Sequence, residues 1–278
     1  MAKPSASMGV SACSRDELRT TLMSYQYLTL ERNAAVAKLT LNRPEVLNAL
    51  SEPLLEELLA AAREVGDSGS RALVITGAGR AFCAGADLAD NLPDDAGLVL
   101  EEFYNPLIES LLALPLPTIA AVGGPAVGAG CSIALACDFV LAARSAYFLQ
   151  AFVGVGLVPD AGATWILPRL VGRARAQAMM MLGERVSAER AREWGMIHEC
   201  VDDSELERAT AELAARLARG PTHAYRLIRE GLRYALDHSL TETLRLERCN
   251  QRRAGQTADF AEGVAAFRQK RRADFTGR

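Results

Sequence analysis

The chain has 278 residues, of which 50% are hydrophobic, and its 31 Lys and Arg against 34 Asp and Glu leave a formal net charge of -3. A chain of this length and hydrophobicity can bury one substantial core. Basic residues do not outnumber acidic ones, which argues against a general nucleic-acid-binding protein. Aromatic residues make up only 6% of the chain, which is too sparse to suggest base-stacking surfaces.

Cysteine usage and hydropathy argue against disulfide-rich, metal-binding, membrane-spanning and secreted proteins. None of the six cysteines forms a CxxC pair and most lie in apolar runs, so we expect free thiols, no disulfide framework and no metal site. No stretch approaches the roughly 20 uncharged apolar residues that a membrane span needs. Residues 1–24 lack the apolar segment of a secretory signal and are predicted to be a frayed extension. A cytoplasmic protein without a membrane partner is expected.

Strand-like and helix-like segments alternate along the rest of the chain. Two β-rich runs over 27–42 come first, with a turn near Arg32 and Asn33. Short apolar runs predict further strands at 71–76, 118–122 and 138–142. Helical spacing predicts helices at 51–64, 98–114, 131–136, 165–181, 187–194, 203–219, 222–237 and 241–253. The pattern predicts an α/β core over 25–200 and a helical region over 201–278.

Two glycine-rich turns, Gly77–Leu88 (GAGRAFCAGADL) and Gly123–Gly130 (GGPAVGAG), each follow a predicted strand. Glycine lets the backbone adopt a positive φ or approach a ligand closely. Two such turns facing each other would point two free N–H groups at one oxygen atom, much as the free amides of a helix N-terminus bind anions. A tight turn explains either segment taken alone, and neither contains the GxGxxG pattern of a dinucleotide site.

Several segments together resemble the crotonase (enoyl-CoA hydratase/isomerase) family. They are LNRPEVLNALS, VITGAGRAFCAGADL, PTIAAVGGPAVGAGCSIALACD, GLVPDAGATWILPRLVGRARA and EGVAAFRQKR, and the resemblance covers about residues 27–278. It implies a ClpP-like spiral core of repeated β-β-α units with a C-terminal helical trimerisation region. It also implies an acyl-CoA substrate, no cofactor apart from the coenzyme A carried by the substrate, and a homotrimer or a hexamer made of two trimers.

The resemblance places an oxyanion hole at the backbone N–H groups of Ala86 and Ala129, which would hold the thioester carbonyl and stabilise an enolate. Each such donor typically lowers a barrier by about 3 to 4 kcal/mol. Hydratases of the family use two glutamates, and the matching positions here are Ser132 and Phe152. Neither side chain is a carboxylic acid, so hydration by the two-glutamate route is not expected.

A different acid lies eight residues beyond Phe152, at Asp160 in GLVPDAGATW, where some members of the family carry a catalytic aspartate. Asp160 is also a good N-cap for a helix that begins near Ala161, so the residue alone leaves both roles open. One base near the acyl chain could take a proton from one carbon and return it to another. YNPL, EWGMI and LERCNQRRAGQTADFAEGVAAF further resemble the ring-1,2-epoxyphenylacetyl-CoA isomerase group, which is similar to Δ3,Δ2-enoyl-CoA isomerases.

The resemblance also implies contacts with coenzyme A and with the acyl group. The expected coenzyme A contacts are Arg43, Asn48, Ala84, Asp87, Leu88, Phe267 and Lys270. The expected acyl-pocket residues are Phe148, Phe152 and Ser132. Each has an alternative role: surface charge for Arg43 and Lys270, loop support for Asp87, and core packing for the two phenylalanines.

The sequence therefore favours an isomerase acting on an unsaturated or ring-epoxidised acyl-CoA, with Asp160 as acid and base. Alternatives are a hydratase-like enzyme, an aroyl-CoA dehalogenase or hydrolase in which Asp160 is a nucleophile, and a non-catalytic acyl-CoA-binding protein. Residues 90–114 contain no histidine, whereas those dehalogenases keep one in this segment. An RNA-associated member of the family is disfavoured by the acidic charge balance.

Overall fold

The computed structural model describes residues 25–33, 35–88 and 95–278. The predicted N-terminal extension lies outside these residues. Within them, the strands are β1 (Leu28–Asn33), β2 (Val36–Leu41), β3 (Ala72–Gly77), β4 (Thr118–Val122), β5 (Ala126–Val127), β6 (Phe139–Ala143), β7 (Tyr147–Leu149), β8 (Val186–Ser187) and β9 (Glu199–Val201). The predicted strands are confirmed, and the short strands β5, β7, β8 and β9 are additions.

The main sheet has six strands in the order β1-β2-β3-β4-β6-β9, and a small second sheet has the order β5-β7-β8. Strands β1 and β2 form an antiparallel hairpin, whereas β2, β3, β4, β6 and β9 run parallel to their neighbours. All five residues of β4 are buried, as expected for a central parallel strand covered on both faces. Because β3 and β4 are parallel neighbours, the two glycine-rich turns that follow them leave the same edge of the sheet.

Helices surround the sheet and continue to the end of the chain. They are α1 (Glu52–Asp67), α2 (Ala96–Val99), α3 (Asn105–Ala113), α4 (Ala129–Leu135), α5 (Ala163–Val171), α6 (Arg173–Leu182), α7 (Ala188–Glu193), α8 (Leu206–Ala218), α9 (Thr222–Ala235), α10 (Leu240–Gly255) and α11 (Ala258–Gln269). A π-helical turn, Leu100–Tyr104, lies between α2 and α3. No helix in the described ranges combines the length and apolarity that crossing a membrane requires.

The core lies on both faces of the sheet. On one face, α1 buries an apolar stripe that includes Leu54, Leu55 and Leu58 in the large core cluster. On the other face, α8 packs Ala214 and Leu217 against residues of β3, β4 and β6. The result is a layered α/β core with helices packed on both faces of the sheet.

Two helix predictions are corrected. The predicted helix over 165–181 is two helices, α5 and α6, because Gly172 between them adopts φ 78 and ψ 160, which is not helical. The sequence pattern predicts no individual helix beyond residue 253, yet Ala258–Gln269 forms α11. Thr257 starts it by accepting a hydrogen bond from the N–H of Phe260, at 3.1 Å.

Candidate active site

The two glycine-rich turns pack directly against each other. A Cβ on Gly124 would lie 2.1 Å from the carbonyl oxygen of Arg80, and a Cβ on Gly130 would lie 2.6 Å from the Cβ and Sγ of Cys83. Gly85 has φ 93, and a Cβ there would lie 3.0 Å from the carbonyl oxygen of Val127. Glycine is therefore required both for backbone conformation and for close approach. The predicted face-to-face arrangement of the turns is confirmed.

The backbone N–H of Ala86 points away from the neighbouring segment that contains Leu50. Leu50 donates its N–H to the carbonyl oxygen of Gly85 at 2.8 Å and accepts the N–H of Asp87 at 3.0 Å. Since successive residues of an extended segment point their polar groups to opposite sides, the N–H of the intervening Ala86 faces away from Leu50. Ala86 is exposed, and within the described residues its N–H has no hydrogen-bond acceptor.

The second expected donor has an unused N–H for a different reason. Ala129 is the first residue of α4, where a helical N–H has no carbonyl four residues earlier within the helix. Its N-cap residue, Gly128, has φ 54 and supplies no side-chain cap. Among the residues that the structure describes, the Ala129 N–H has no acceptor either. Both backbone groups are therefore unpaired donors on turns that touch.

Asp160 does not cap a helix. Helix α5 begins at Ala163, and its N-cap is Gly162, with no side-chain hydrogen bond to the helix end. Ala161 and Gly162 both have positive φ, 47 and 77, and turn the chain so that the backbone carbonyl of Asp160, not its carboxylate, accepts the N–H of Ala163 at 2.9 Å. The capping alternative is therefore wrong. Ala161 is a non-glycine residue at positive φ, and backbone strain of this kind is found at functional sites.

The Asp160 carboxylate is in an environment that favours its neutral form. Its Oδ1 atom is buried and has no hydrogen-bond partner within the described part of the chain. Burial raises the pKa of Asp160 from 3.8 to about 6, against a smaller opposing effect from its own backbone N–H. A carboxylate with this pKa is mostly ionised at pH 7 and can still release and accept a proton readily.

Ser132 and Phe152 occupy the space where the hydratase resemblance would require glutamates. Ser132 is buried, and its hydroxyl lies 3.4 Å from the carbonyl oxygen of Gly128 and 3.3 Å from that of Asp160. It therefore links the start of α4 to the turn that carries Asp160. The ring of Phe152 lies beside Gly128, with its Cζ atom 3.8 Å from the position of a Cβ there. The acyl-pocket role of Phe152 remains a prediction, whereas the contacts of Ser132 are with backbone carbonyl groups.

The sequence analysis missed one residue of this region, Tyr104. Tyr104 lies in the YNPL segment of the resemblance and is not a predicted site residue, yet it is buried and subject to the charges of titratable groups of the site. Burial raises the pKa of its phenol, and the charge of Asp160, then those of Cys83 and Asp87, raise it further. The signal available in the sequence was a tyrosine among the leucines and isoleucines of this helix, because a buried tyrosine hydroxyl usually needs a hydrogen-bond partner.

Arg43 and Asp87 form a partly buried ion pair, with Nη1 2.9 Å from Oδ2, and Arg43 also donates to the carbonyl oxygen of Ala49 at 2.7 Å. The guanidinium lies over the ring of Tyr27, 5.6 Å from its centroid. These contacts tie the loop before α1 to the segment after Ala86. Both residues therefore stabilise the loop over 84–88, which is called the oxyanion loop after the predicted role of Ala86, and a coenzyme A contact by either remains a prediction.

Asn48 does not fit the predicted ligand contact. Its side chain is fully buried, and its Nδ2 lies within 3.3 Å of the carbonyl oxygens of Ala78, Ala81 and Phe82. Its Oδ1 accepts the N–H of Arg43 at 2.9 Å. The amide is fully used in holding the first glycine-rich turn, so its side chain is not free for coenzyme A, and the prediction is corrected to a structural role.

The remaining predicted contacts are divided between the core and the surface. Phe148 is fully buried in the main core cluster, which favours the core-packing alternative over the acyl pocket. Ala84 and Leu88 flank Ala86 in the oxyanion loop, and Leu88 is 50% exposed. Phe267 and Lys270 lie at the end of α11, and Phe267 is 85% exposed beside a cavity of about 360 Å³ at the C-terminal helices. Their contact with coenzyme A remains a prediction.

No group of three or more His, Cys, Asp and Glu side chains in the described ranges is arranged to hold a metal ion. The chemistry available at the site is that of two backbone donors, a carboxylate of raised pKa and a buried phenol. Such a set can stabilise a developing negative charge on a carbonyl oxygen while one group moves a proton.

Comparison with known proteins identifies the family of the chain. Residues 31–278 match the family described as enoyl-CoA hydratase/isomerase. The chain is 48% identical to the 1,2-epoxyphenylacetyl-CoA isomerase of Escherichia coli, over 87% of this chain and 95% of that protein. It is 46% identical to a probable enoyl-CoA hydratase of Rhodobacter capsulatus, over 92% of this chain and all of that protein.

Solved structures agree on the fold. A putative enoyl-CoA hydratase/isomerase from Mycobacterium abscessus superposes with a TM-score of 0.87 at 38% identity, covering 90% of this chain and all of that one. The predicted crotonase fold is therefore confirmed. The chain belongs to the enoyl-CoA hydratase/isomerase family.

Proposed function

We propose that this family member is an acyl-CoA isomerase, which moves a double bond or rearranges a ring epoxide to an oxepin in an acyl-CoA. The observation that carries the proposal is the Asp160 carboxylate. This carboxylate does not cap a helix, and its buried Oδ1 atom has no hydrogen-bond partner among the described residues. It lies on a turn that a hydrogen bond from Ser132 connects to the start of α4. The two hydratase glutamate positions hold Ser132 and Phe152 instead.

The proposed reaction begins with the thioester carbonyl oxygen accepting hydrogen bonds from the N–H groups of Ala86 and Ala129. These bonds stabilise the enolate that forms when the α-proton leaves, and each is expected to lower the barrier by about 3 to 4 kcal/mol. Asp160 takes the α-proton from the acyl chain. The same carboxylic acid then returns the proton to the γ-carbon, which moves the double bond into conjugation with the thioester.

The raised pKa of Asp160 suits both halves of this transfer. With a pKa of about 6, Asp160 is mainly ionised at pH 7. Its protonated form is a stronger acid than the C–H group that forms when it protonates the γ-carbon. No activated water is needed, which agrees with the absence of glutamate at positions 132 and 152. The substrate carries its own coenzyme A, and we propose no further cofactor.

The similarity to the Escherichia coli 1,2-epoxyphenylacetyl-CoA isomerase supports the isomerase assignment. The similarity to the probable hydratase of Rhodobacter capsulatus is nearly as strong and supports only the family. The residues of the site support the isomerase over the hydratase, because a hydratase needs groups that activate and protonate water, whereas an isomerase needs one shuttle base. The proposal therefore depends on Asp160 more than on any comparison.

The test compares wild type with Asp160→Asn and, as a matched surface control, Asp67→Asn at the exposed end of α1. Each protein receives a Δ3-enoyl-CoA, and the conjugated thioester is followed by ultraviolet absorbance. We expect Asp160→Asn to lower kcat by about 10² to 10⁴, the range typical of a lost general base. Asp67→Asn should keep the wild-type rate.

Full activity of Asp160→Asn would contradict the assignment of the base. Turnover of an aroyl-CoA in ¹⁸O-water, followed by mass spectrometry of the Asp160 peptide, tests the alternative in which this residue is a nucleophile. Label in the carboxylate would favour the dehalogenase or hydrolase alternative. Binding of acyl-CoA without any turnover by wild type would favour the non-catalytic protein.

A further inference from the structure

The hydroxyl of Ser132 lies between two backbone carbonyl groups that belong to different parts of the site. Ser132 is on α4, about one helical turn after the proposed oxyanion donor Ala129, and its side chain is 1% exposed. Its Oγ atom is 3.3 Å from the carbonyl oxygen of Asp160 and 3.4 Å from that of Gly128. A serine hydroxyl has one hydrogen to donate, so it bonds fully to one of these acceptors at a time.

Both carbonyl groups also accept a backbone N–H, so neither depends on Ser132 alone. The carbonyl oxygen of Gly128 accepts the N–H of Ser132 itself at 3.2 Å, and that of Asp160 accepts the N–H of Ala163 at 2.9 Å. The hydroxyl is therefore an additional link. Among the described residues it makes the one hydrogen bond that joins α4 to the turn that carries Asp160.

That turn needs contacts from outside to keep its conformation. Ala161 and Gly162 follow Asp160 with φ of 47 and 77, and alanine adopts such values only at a cost. Ala161 is buried, and a Cβ on Gly162 would lie 3.4 Å from Cγ2 of Ile108 on α3. A strained backbone persists only where its surroundings fix it. Packing does so on the α3 side, and the Ser132 hydroxyl does so on the α4 side.

We propose that Ser132 is a positioning residue that fixes the Asp160 carboxylate relative to the N–H of Ala129. It acts through Asp160 and does not touch the substrate. The inference rests on the proposed function and adds how the base and the oxyanion donor keep their spacing, since one short helix carries the donor and also holds the turn of the base. Both groups act on the same enolate, and a displacement of about 1 Å costs about 100-fold in rate.

The competing role for Ser132 is packing and hydrogen bonding that stabilise the fold alone. That role predicts a less stable protein whose folded molecules keep the wild-type kcat. Positioning predicts a lower kcat with little change in KM, because the contacts that bind the thioester and coenzyme A are retained. It also predicts that the loss disappears once the carboxylate has been removed, because Ser132 acts only through Asp160.

The first experiment measures kcat and KM on a Δ3-enoyl-CoA for Ser132→Ala, Asp160→Asn and the double variant. We expect Ser132→Ala to lower kcat about 10- to 50-fold and to change KM less than about twofold. Added to Asp160→Asn, it should lower kcat by less than about twofold further. A wild-type kcat for Ser132→Ala, or losses that multiply in the double variant, would overturn the inference.

The matched control is Thr118→Val, which removes another fully buried hydroxyl. Thr118 begins β4, whereas the glycine-rich turn follows the other end of this strand, and its Oγ1 atom lies 3.1 Å from Oδ2 of Asp138. The control should lose stability in urea denaturation and keep the wild-type kcat. This result would show that loss of a buried hydroxyl does not by itself slow the reaction.

The second experiment needs neither substrate nor turnover. Hydrogen–deuterium exchange, followed by mass spectrometry, reports on the N–H of Ala163 that bonds to the carbonyl oxygen of Asp160. We expect exchange in peptides covering 160–166 to be about fivefold faster in Ser132→Ala and unchanged in Thr118→Val. Unchanged exchange in Ser132→Ala, with Asp160→Asn inactive, would overturn this inference alone. Faster exchange together with full activity of Asp160→Asn would instead overturn the proposed function and leave the link between α4 and the turn intact.

Discussion

The oxyanion loops and the Asp160 turn adjoin each other through Ser132, yet they are built in different ways. The loops present backbone N–H groups at alanines, and their positions depend on glycines and on the buried amide of Asn48. The Asp160 turn presents a side chain whose reactivity depends on burial and on a strained backbone. We therefore expect the oxyanion loops to tolerate changes of side chain but not of backbone conformation, whereas the Asp160 turn is sensitive to the side chain itself.

The largest effect expected in the oxyanion loop comes from Gly85→Ala. Its φ of 93 and the 3.0 Å approach to the carbonyl oxygen of Val127 force the loop to move. Displacing one oxyanion donor is expected to lower kcat by about 10² to 10³. The matched control is Ala86→Ser, one residue later, which keeps the N–H and extends an exposed side chain. Steady-state kinetics on the same acyl-CoA should show less than about a threefold change for the control. A similar loss in both variants would contradict backbone donation.

A smaller effect, on stability, is expected from Asn48→Ala. The change leaves the buried carbonyl oxygens of Ala78, Ala81 and Phe82 without their shared donor. Each unsatisfied buried group costs about 1 to 3 kcal/mol, and the amide NH2 has two hydrogens to donate, so we expect the free energy of unfolding to fall by about 2 to 6 kcal/mol in total. Urea denaturation measures this. If stability is unchanged while acyl-CoA binding is lost, the original prediction of a ligand contact is correct after all.

The smallest effect concerns pH and sharpens the account of the Asp160 turn. The base must be ionised, and burial places its pKa at about 6, so kcat/KM should be constant above that value and fall tenfold per pH unit below it. An ordinary exposed aspartate would retain activity down to about pH 4. A profile of kcat/KM on a Δ3-enoyl-CoA, measured from pH 4.5 to 8, distinguishes the two. An acid limb near 4 would show that burial of Asp160 does not control the reaction.

Much of the scaffold could be predicted because it depends on local signals. The apolar runs at 71–76 and 118–122 are strands, and the glycines that follow them mark the turns that meet at the sheet edge. Short strands such as β5 and β8 could not be predicted, since two residues carry no periodicity and their pairing depends on distant partners. Gly172 was the available signal that the helix over 165–181 is broken.

The family resemblance, the two glycine-rich turns and the absence of a glutamate at positions 132 and 152 are all readable from the amino-acid sequence, because they depend on residue identity and order. The roles of Asn48, Phe148 and Asp160 emerge only from the folded chain. Asn48 and Phe148 are buried by segments far away in the chain, and Asp160 does not cap α5 because this helix begins at Ala163, two residues later than the sequence indicated. Burial and hydrogen bonding arise from contacts between distant segments, so they are properties of the folded chain and not of any local pattern.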